Sequence, residues 1–191
     1  MKKLVILSIV LMLAINCFSQ KLDSTALVII DIQNFYFPGG ASALYQPQKA
    51  AEKAKQLLSY FRENKSLVVH VRHNFEPGGE INDLVKPMEG EKVFSKDEVN
   101  AFLNTGLNDW LQQNHIKNLV LCGMQTHMCL EAATRAGHDL GYKCSVIEDA
   151  CTTKDLKYGD HTISAMDVHY STLATLKSYG KVLSLDEFLK N

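Results

Sequence analysis

Cys129 closes the stretch Leu119-Val-Leu-Cys-Gly-Met-Gln-Thr-His-Met-Cys129, and its position there gives a thiol a use. The apolar run over 119–122 has the length of a buried strand. Gly123 breaks it, and from Met128 apolar residues recur at helical spacing, with Leu130, Ala133, Ala136, Gly137 and Leu140 on one face. The spacing predicts Cys129 in the first turn of a helix, just past a strand end. Backbone N–H groups there lack intrahelical partners and the helix dipole adds partial positive charge, so a thiolate, the nucleophilic form of cysteine, is favoured. The competing reading is a small buried residue closing a strand–helix corner. Two charged residues bear on the choice. Asp31 ends the β-branched run that starts at Ala26, where it serves either as a turn cap or as a carboxylate for proton transfer. Lys96 follows the brief apolar stretch Val93-Phe94 and on its own reads as an ordinary exposed lysine.

The elements that must position these side chains follow from the same patterning. Residues 26–32 suit a strand buried on both faces of a parallel sheet. A helix is predicted over about 47–64, with Ala51, Ala54, Leu58 and Phe61 on one face, then a strand over 67–71 ending in Arg72-His73. Strand, helix and strand in that order make a βαβ unit. Between them, the aromatics Phe35, Tyr36 and Phe37 lead into the loop Pro38-Gly39-Gly40, where they either line a pocket or pack beneath the loop. The stretch 74–91 is rich in Gly, Pro and acidic residues, a long loop of the kind that serves function. Helices are predicted over 107–115, around Trp110, and over 165–178. Strands are predicted over 143–149 and from Val182, with an exposed helix at the C-terminus. Strands too apolar for a solvated face, alternating with helices, give a three-layer α/β domain.

Twenty Lys and Arg against 21 Asp and Glu leave a net charge of −1, which implies no nucleic-acid partner. The chain opens Met-Lys-Lys, runs apolar from Leu4 to Ile15, and reaches Asn16-Cys-Phe-Ser-Gln20. A basic start, a short apolar core and a small residue near its end describe a secretory signal peptide over residues 1–19, with a single domain over 20–191. The run is too short for a stable membrane span. A lipoprotein anchored at Cys17 is the alternative, disfavoured by the large Asn16 before it. Either way the domain is expected outside the cytoplasm, periplasmic or secreted. Its roughly 170 residues are enough for one core without staples. Cys122, Cys129, Cys144 and Cys151 are therefore read as free thiols despite their even number.

Three contexts in order, Val28-Ile-Ile-Asp-Ile-Gln-Asn34, Phe94-Ser-Lys-Asp-Glu-Val-Asn-Ala-Phe102 and Gly123-Met-Gln-Thr-His-Met-Cys129, resemble those of the isochorismatase-like cysteine hydrolases. The likeness continues through Gly141-Tyr142 and Glu148-Asp149-Ala150 and so covers nearly the whole domain. The resemblance implies a catalytic triad of Asp31, Lys96 and Cys129 on a Rossmann-like α/β/α fold with a mostly parallel, six-stranded sheet. It implies hydrolysis of C–N bonds in small amides, ureides and related molecules, a cis peptide at Met124-Gln125, and a homo-oligomer, most simply a two-fold dimer.

On this reading Asp31 accepts the thiol proton and returns it to the leaving amine, while Lys96 keeps Asp31 ionised and favours the thiolate. Backbone N–H groups of Gln125 and Cys129 hold the oxyanion. His127 touches substrate or caps a backbone group. Nicotinamidases of this superfamily carry a metal-binding Asp-x-His followed by further histidines; here the interval offers only His70 and His73, which a strand would point to opposite faces. No metal or other cofactor is expected. Isochorismatases proper act on a vinyl ether and lack the cysteine. The competing classes are an ether hydrolase with an incidental Cys129 and a non-catalytic binding protein that keeps the fold. Specificity is assigned to Phe35, Phe37, the 74–91 loop and a neighbouring subunit, none of which spells a substrate.

Overall fold

Strand β1 (Thr25–Ile30) is buried along its whole length, as an unbroken apolar run requires. Helix α1 (Pro47–Glu63) follows, opened by a proline whose missing N–H costs nothing in the first turn. Its Ala51, Ala54, Leu58 and Phe61 face the sheet, joined by Ala50 and Leu57. Then come β2 (Leu67–His73), β3 (Lys92–Lys96), α2 (Leu107–Gln113) and β4 (Asn118–Met124). A π-helical turn, Thr126–Leu130, leads into α3 (Glu131–Asp139). The chain ends with β5 (Lys143–Thr152), β6 (Leu156–Tyr158), β7 (His161–Ile163), α4 (Ala165–Leu176), β8 (Gly180–Leu183) and α5 (Leu185–Lys190). This computed structural model describes residues 22–190, so the signal-peptide reading lies outside the described residues.

Six strands form one parallel sheet in the order β3-β2-β1-β4-β5-β8, and helices cover both faces. The chain moves outward from β1 through β2 to β3, returns to pair β4 with β1, and moves outward the other way. The carboxyl ends of β1 and β4 therefore flank the point where strand order reverses, which is where open α/β sheets form a crevice. On one face, α1 and α5 meet through stacked Phe61 and Phe188, 6.2 Å apart. Among the described residues, no helix is long and apolar enough to cross a membrane.

The structure shifts several expected boundaries. β1 stops at Ile30 because Asp31 adopts a left-handed backbone (φ 49°). β2 continues to His73 and β5 to Thr152. The β4–β5 pairing jumps between Leu121/Val146 and Gly123/Cys151. The antiparallel hairpin β6–β7 stands outside the main sheet and has no counterpart among the elements expected from sequence. Its three-residue strands are too short and too exposed to show alternation. Cys122, Cys129, Cys144 and Cys151 are free and buried.

Candidate active site

Asp31 is the first residue past β1, fully buried. Its N–H donates to the Val71 carbonyl (2.9 Å), and its own carbonyl accepts from the Gln33 N–H (2.9 Å). Aspartate is among the few side chains that tolerate a left-handed backbone, so the strand can end abruptly and turn the carboxylate toward the crevice. Gln33, also buried, ties the neighbouring strand end in place. Its amide nitrogen donates to the carbonyls of His73 (2.9 Å) and Gly79 (2.6 Å), and its amide oxygen accepts from the His73 N–H (2.8 Å).

Lys96 ends β3, in register with His73 of β2. The reading of Lys96 as an exposed lysine does not hold, since its side chain is fully buried. Its Nζ donates to His73 Nδ1 (3.0 Å), the Glu98 carbonyl (3.1 Å) and Cys129 Sγ (3.3 Å). Asp31 Oδ2 lies 2.8 Å from the same nitrogen. That contact is an ion pair without the alignment of a directed hydrogen bond, and neither Asp31 oxygen has a hydrogen-bonding partner among the described residues. Cys129 sits in the π-helical turn after the Met124-Gln125 peptide, which is cis. Within that turn the Gln125 carbonyl accepts from the N–H groups of Met128 (3.1 Å) and Leu130 (3.3 Å). Thr126 Oγ1 bonds His169 Nδ1 (2.9 Å), and His127 Nδ1 meets Thr153 Oγ1.

The electrostatics reverse one expectation. A helix start and a nearby lysine are expected to favour the thiolate. Instead, burial first and the charge of Asp31 second push the Cys129 thiol up to about 12, and Lys96 only offsets part of this. Burial also raises Asp31 above the ordinary carboxylate value, against the pull of Lys96. Desolvation outweighs charge pairing because all three groups lie out of water. The resting sulfur is thus a thiol that needs a base at the moment of attack.

His70 and His73 diverge, as their strand spacing requires. His70 Nε2 turns to Glu91 (3.0 Å), whereas His73 faces Lys96. Donor atoms of Asp31, His73 and Cys129 lie within 4.8 Å of one another, but the cation among them is the chain's own ammonium. These residues do not reproduce the histidine-rich nicotinamidase set.

Phe35 and Phe37 are buried, Phe35 packed against the rings of Tyr36 (4.1 Å) and Phe75 (4.4 Å). The residue of that loop which reaches the site is Tyr36, whose hydroxyl accepts from Gln125 Nε2 (3.3 Å). Burial raises the Tyr36 phenol, and the charges of Cys129 and Asp31 raise it further. Gln125 Oε1 is buried without a hydrogen-bonding partner among the described residues. Beside the nucleophile turn lies a cavity of about 420 Å³, whose lining includes Tyr45, Lys49, Thr153, His169 and Tyr170. It meets the turn through Thr153 and His169, the partners of His127 and Thr126. Sequence reasoning missed Gln33 and His73 as members of this neighbourhood, and it counted Tyr36 among the loop aromatics but assigned substrate to Phe35 and Phe37 instead. Their signal lies in strand register and loop path, not in residue type.

Comparison with known proteins agrees with this architecture. The uncharacterized isochorismatase family protein YddQ of Bacillus subtilis is 45% identical over 179 residues, spanning 87% of this chain and 99% of the relative. The crystal structure of an isochorismatase from Pseudomonas putida KT2440 matches with a TM-score of 0.83 at 31% identity, covering 86% of this chain and 90% of that one. More distantly, the ureidoacrylate amidohydrolase RutB of Azorhizobium caulinodans is 26% identical over 176 residues, 69% of this chain and 78% of the relative. A model of the isochorismatase domain matches residues 25–178, and the chain belongs to the isochorismatase family of hydrolases.

Proposed function

We propose that this protein is an exported cysteine hydrolase that cleaves a C–N bond of a small amide, ureide or lactam through a thioester. The observation that carries the reading is the buried ammonium of Lys96 held between Asp31 Oδ2 (2.8 Å) and Cys129 Sγ (3.3 Å). In the first half-reaction Asp31 takes the thiol proton as sulfur attacks the carbonyl carbon, and the S–C bond forms. The oxyanion is held by backbone N–H groups of Gln125 and Cys129, each such donor being worth about 3–4 kcal/mol. As the C–N bond breaks, Asp31 returns its proton to the departing amine. Asp31 then takes a proton from water, which attacks the thioester. The carboxylic acid leaves, and the thiol is restored.

An ether-hydrolase reading leaves the Lys96–Cys129 contact without a use. A panel of small amides, ureides and lactams, scored for amine or ammonia release, tests the proposal. Turnover together with a mass increase on Cys129 equal to the acyl group is the expected result. Hydrolysis retained by Cys129→Ala would overturn it. A homo-oligomer, most simply a two-fold dimer, is the proposed assembly; light scattering that finds only monomer at micromolar concentration would refute that part. Export predicts a mature N-terminus near Gln20 in protein recovered from outside the cytoplasm.

A further inference from the structure

An ammonium group has three hydrogens to donate. Around Lys96 Nζ stand three aligned acceptors, His73 Nδ1 at 3.0 Å, the Glu98 carbonyl at 3.1 Å and Cys129 Sγ at 3.3 Å. Asp31 takes the fourth side by charge alone. Two of the three hydrogens are therefore committed away from the reacting atoms, and the third is aimed at sulfur by elimination. Lysine cannot accept, so the contact requires the Nδ1 lone pair of a neutral imidazole with its proton on Nε2. His73 is itself held in place: Gln33 bonds both its N–H (2.8 Å) and its carbonyl (2.9 Å). The β2–β3 register sets it directly beside Lys96.

We infer that His73 is a positioning residue: as a neutral acceptor it fixes the rotation of the Lys96 ammonium so that one N–H faces Cys129 and the charge stays against Asp31. The inference rests on the cysteine-hydrolase reading for its effect on turnover, but its effect on thiol reactivity does not. Protonation of His73 removes the lone pair and sets a second positive charge against Lys96. The charged groups facing it are Lys96 on β3, Asp31 past β1, and Asp97 and Glu98 past β3. Burial lowers the His73 pKa below its usual 6.5 and Lys96 lowers it further, while the three carboxylates oppose this. The imidazole is neutral at pH 7, and its loss of function belongs to the acid side, below pH 6.5.

The test compares wild type, His73→Ala and His73→Asn. Asparagine places an amide oxygen near the position of Nδ1, so it keeps the acceptor and cannot titrate. In His73→Ala, iodoacetamide labelling of Cys129 at pH 8 should slow by about tenfold, the change in thiolate fraction for one pKa unit. On a substrate found by the amide panel, kcat should fall by a similar factor with KM little changed. His73→Asn should recover most of both losses, and its acid limb should lie at lower pH than that of wild type. A melting curve on each variant confirms folding.

Labelling and pH profile unchanged in His73→Ala, or His73→Asn impaired as much as His73→Ala, would overturn the inference. The two proposals fail separately. If no amide is hydrolysed by wild type yet labelling follows this pattern, the function falls and the positioning role stands. If amides are hydrolysed and His73 variants behave as wild type, the reverse holds.

Discussion

At the scale of single residues, the buried thiol and its base make opposed predictions for one substitution. The Cys129 thiol lies near 12, so iodoacetamide labelling should climb about tenfold per pH unit from pH 7 to 10, with no plateau near neutrality. Asp31 raises that thiol by its charge. Asp31→Asn should therefore label faster than wild type at a given pH. The same variant should lose turnover by about 10²–10⁴-fold, because the amide cannot take the proton. Faster labelling with near wild-type kcat would remove Asp31 as the base. Lys96 acts in the other direction on both partners. Lys96→Met should label more slowly and move the acid limb of turnover to higher pH, which a pH–rate profile reads directly. Cys129→Ala should be inactive yet folded, and adding Asp31→Asn to it should cost little more, since groups acting as one unit are not additive.

At the scale of elements, the triad depends on how closely β1 and β4 approach. Gly123 of β4 stands in register with Ile30 at the end of β1, with φ +134°. A Cβ there would lie 1.9 Å from the Ile30 carbonyl oxygen, one residue before Asp31. Gly123→Ala must separate the strands or distort the backbone between base and nucleophile. It should destabilise by roughly 3 kcal/mol or more, lowering Tm by about 6 °C or more, and reduce kcat in the folded fraction. A calorimetric scan and single-turnover rates check both. The strands themselves were legible because buried parallel strands need unbroken apolar runs, as Ala26–Ile30 and Leu119–Cys122 supply. Register was not legible. Alternation tells which face His73 takes, but only the β2–β3 pairing tells that Lys96 is its neighbour. Tyr36 was hidden for a similar reason, since three consecutive loop aromatics look alike until the loop path points one of them at Gln125.

At the scale of the whole molecule, the three-layer sheet and the placing of Asp31 and Cys129 at strand ends followed from patterning, whereas the protonation of the site did not. Local charge and a helix start are visible in sequence; the depth at which the fold buries them is not, and depth decided the Cys129 thiol. Burial also makes the molecule acid-sensitive at a second cluster. Glu91 accepts from Arg62 Nε (2.7 Å) and Nη2 (2.8 Å), from the Met88 N–H (2.9 Å) and from His70 Nε2 (3.0 Å), tying α1, β2 and the 74–91 loop together. Burial pushes the Glu91 carboxyl up, but these donors together hold it down at about 2, below its ordinary 4.5. A depressed acid stabilises the fold above the unfolded value and loses that contribution as pH falls from about 4.5 toward 2. His70 works in the same direction. Burial lowers its pKa from 6.5 against the pull of Glu91, and Nδ1 is buried without a partner among the described residues, so the fold holds the neutral ring and loses stability on acidification below 6.5. Tm should therefore decline in two stages, the first beginning below pH 6.5 and the second below pH 4.5. Glu91→Gln keeps the shape but leaves Arg62 and His70 without their carboxylate, so at pH 7 it should cost about 2–3 kcal/mol. That deficit should narrow on acidification to pH 3, where the wild type has already given up part of the same contribution. Denaturant melts of both proteins across that range decide the matter: a deficit equal at pH 7 and pH 3 would assign the loss to packing and remove charge linkage as its cause.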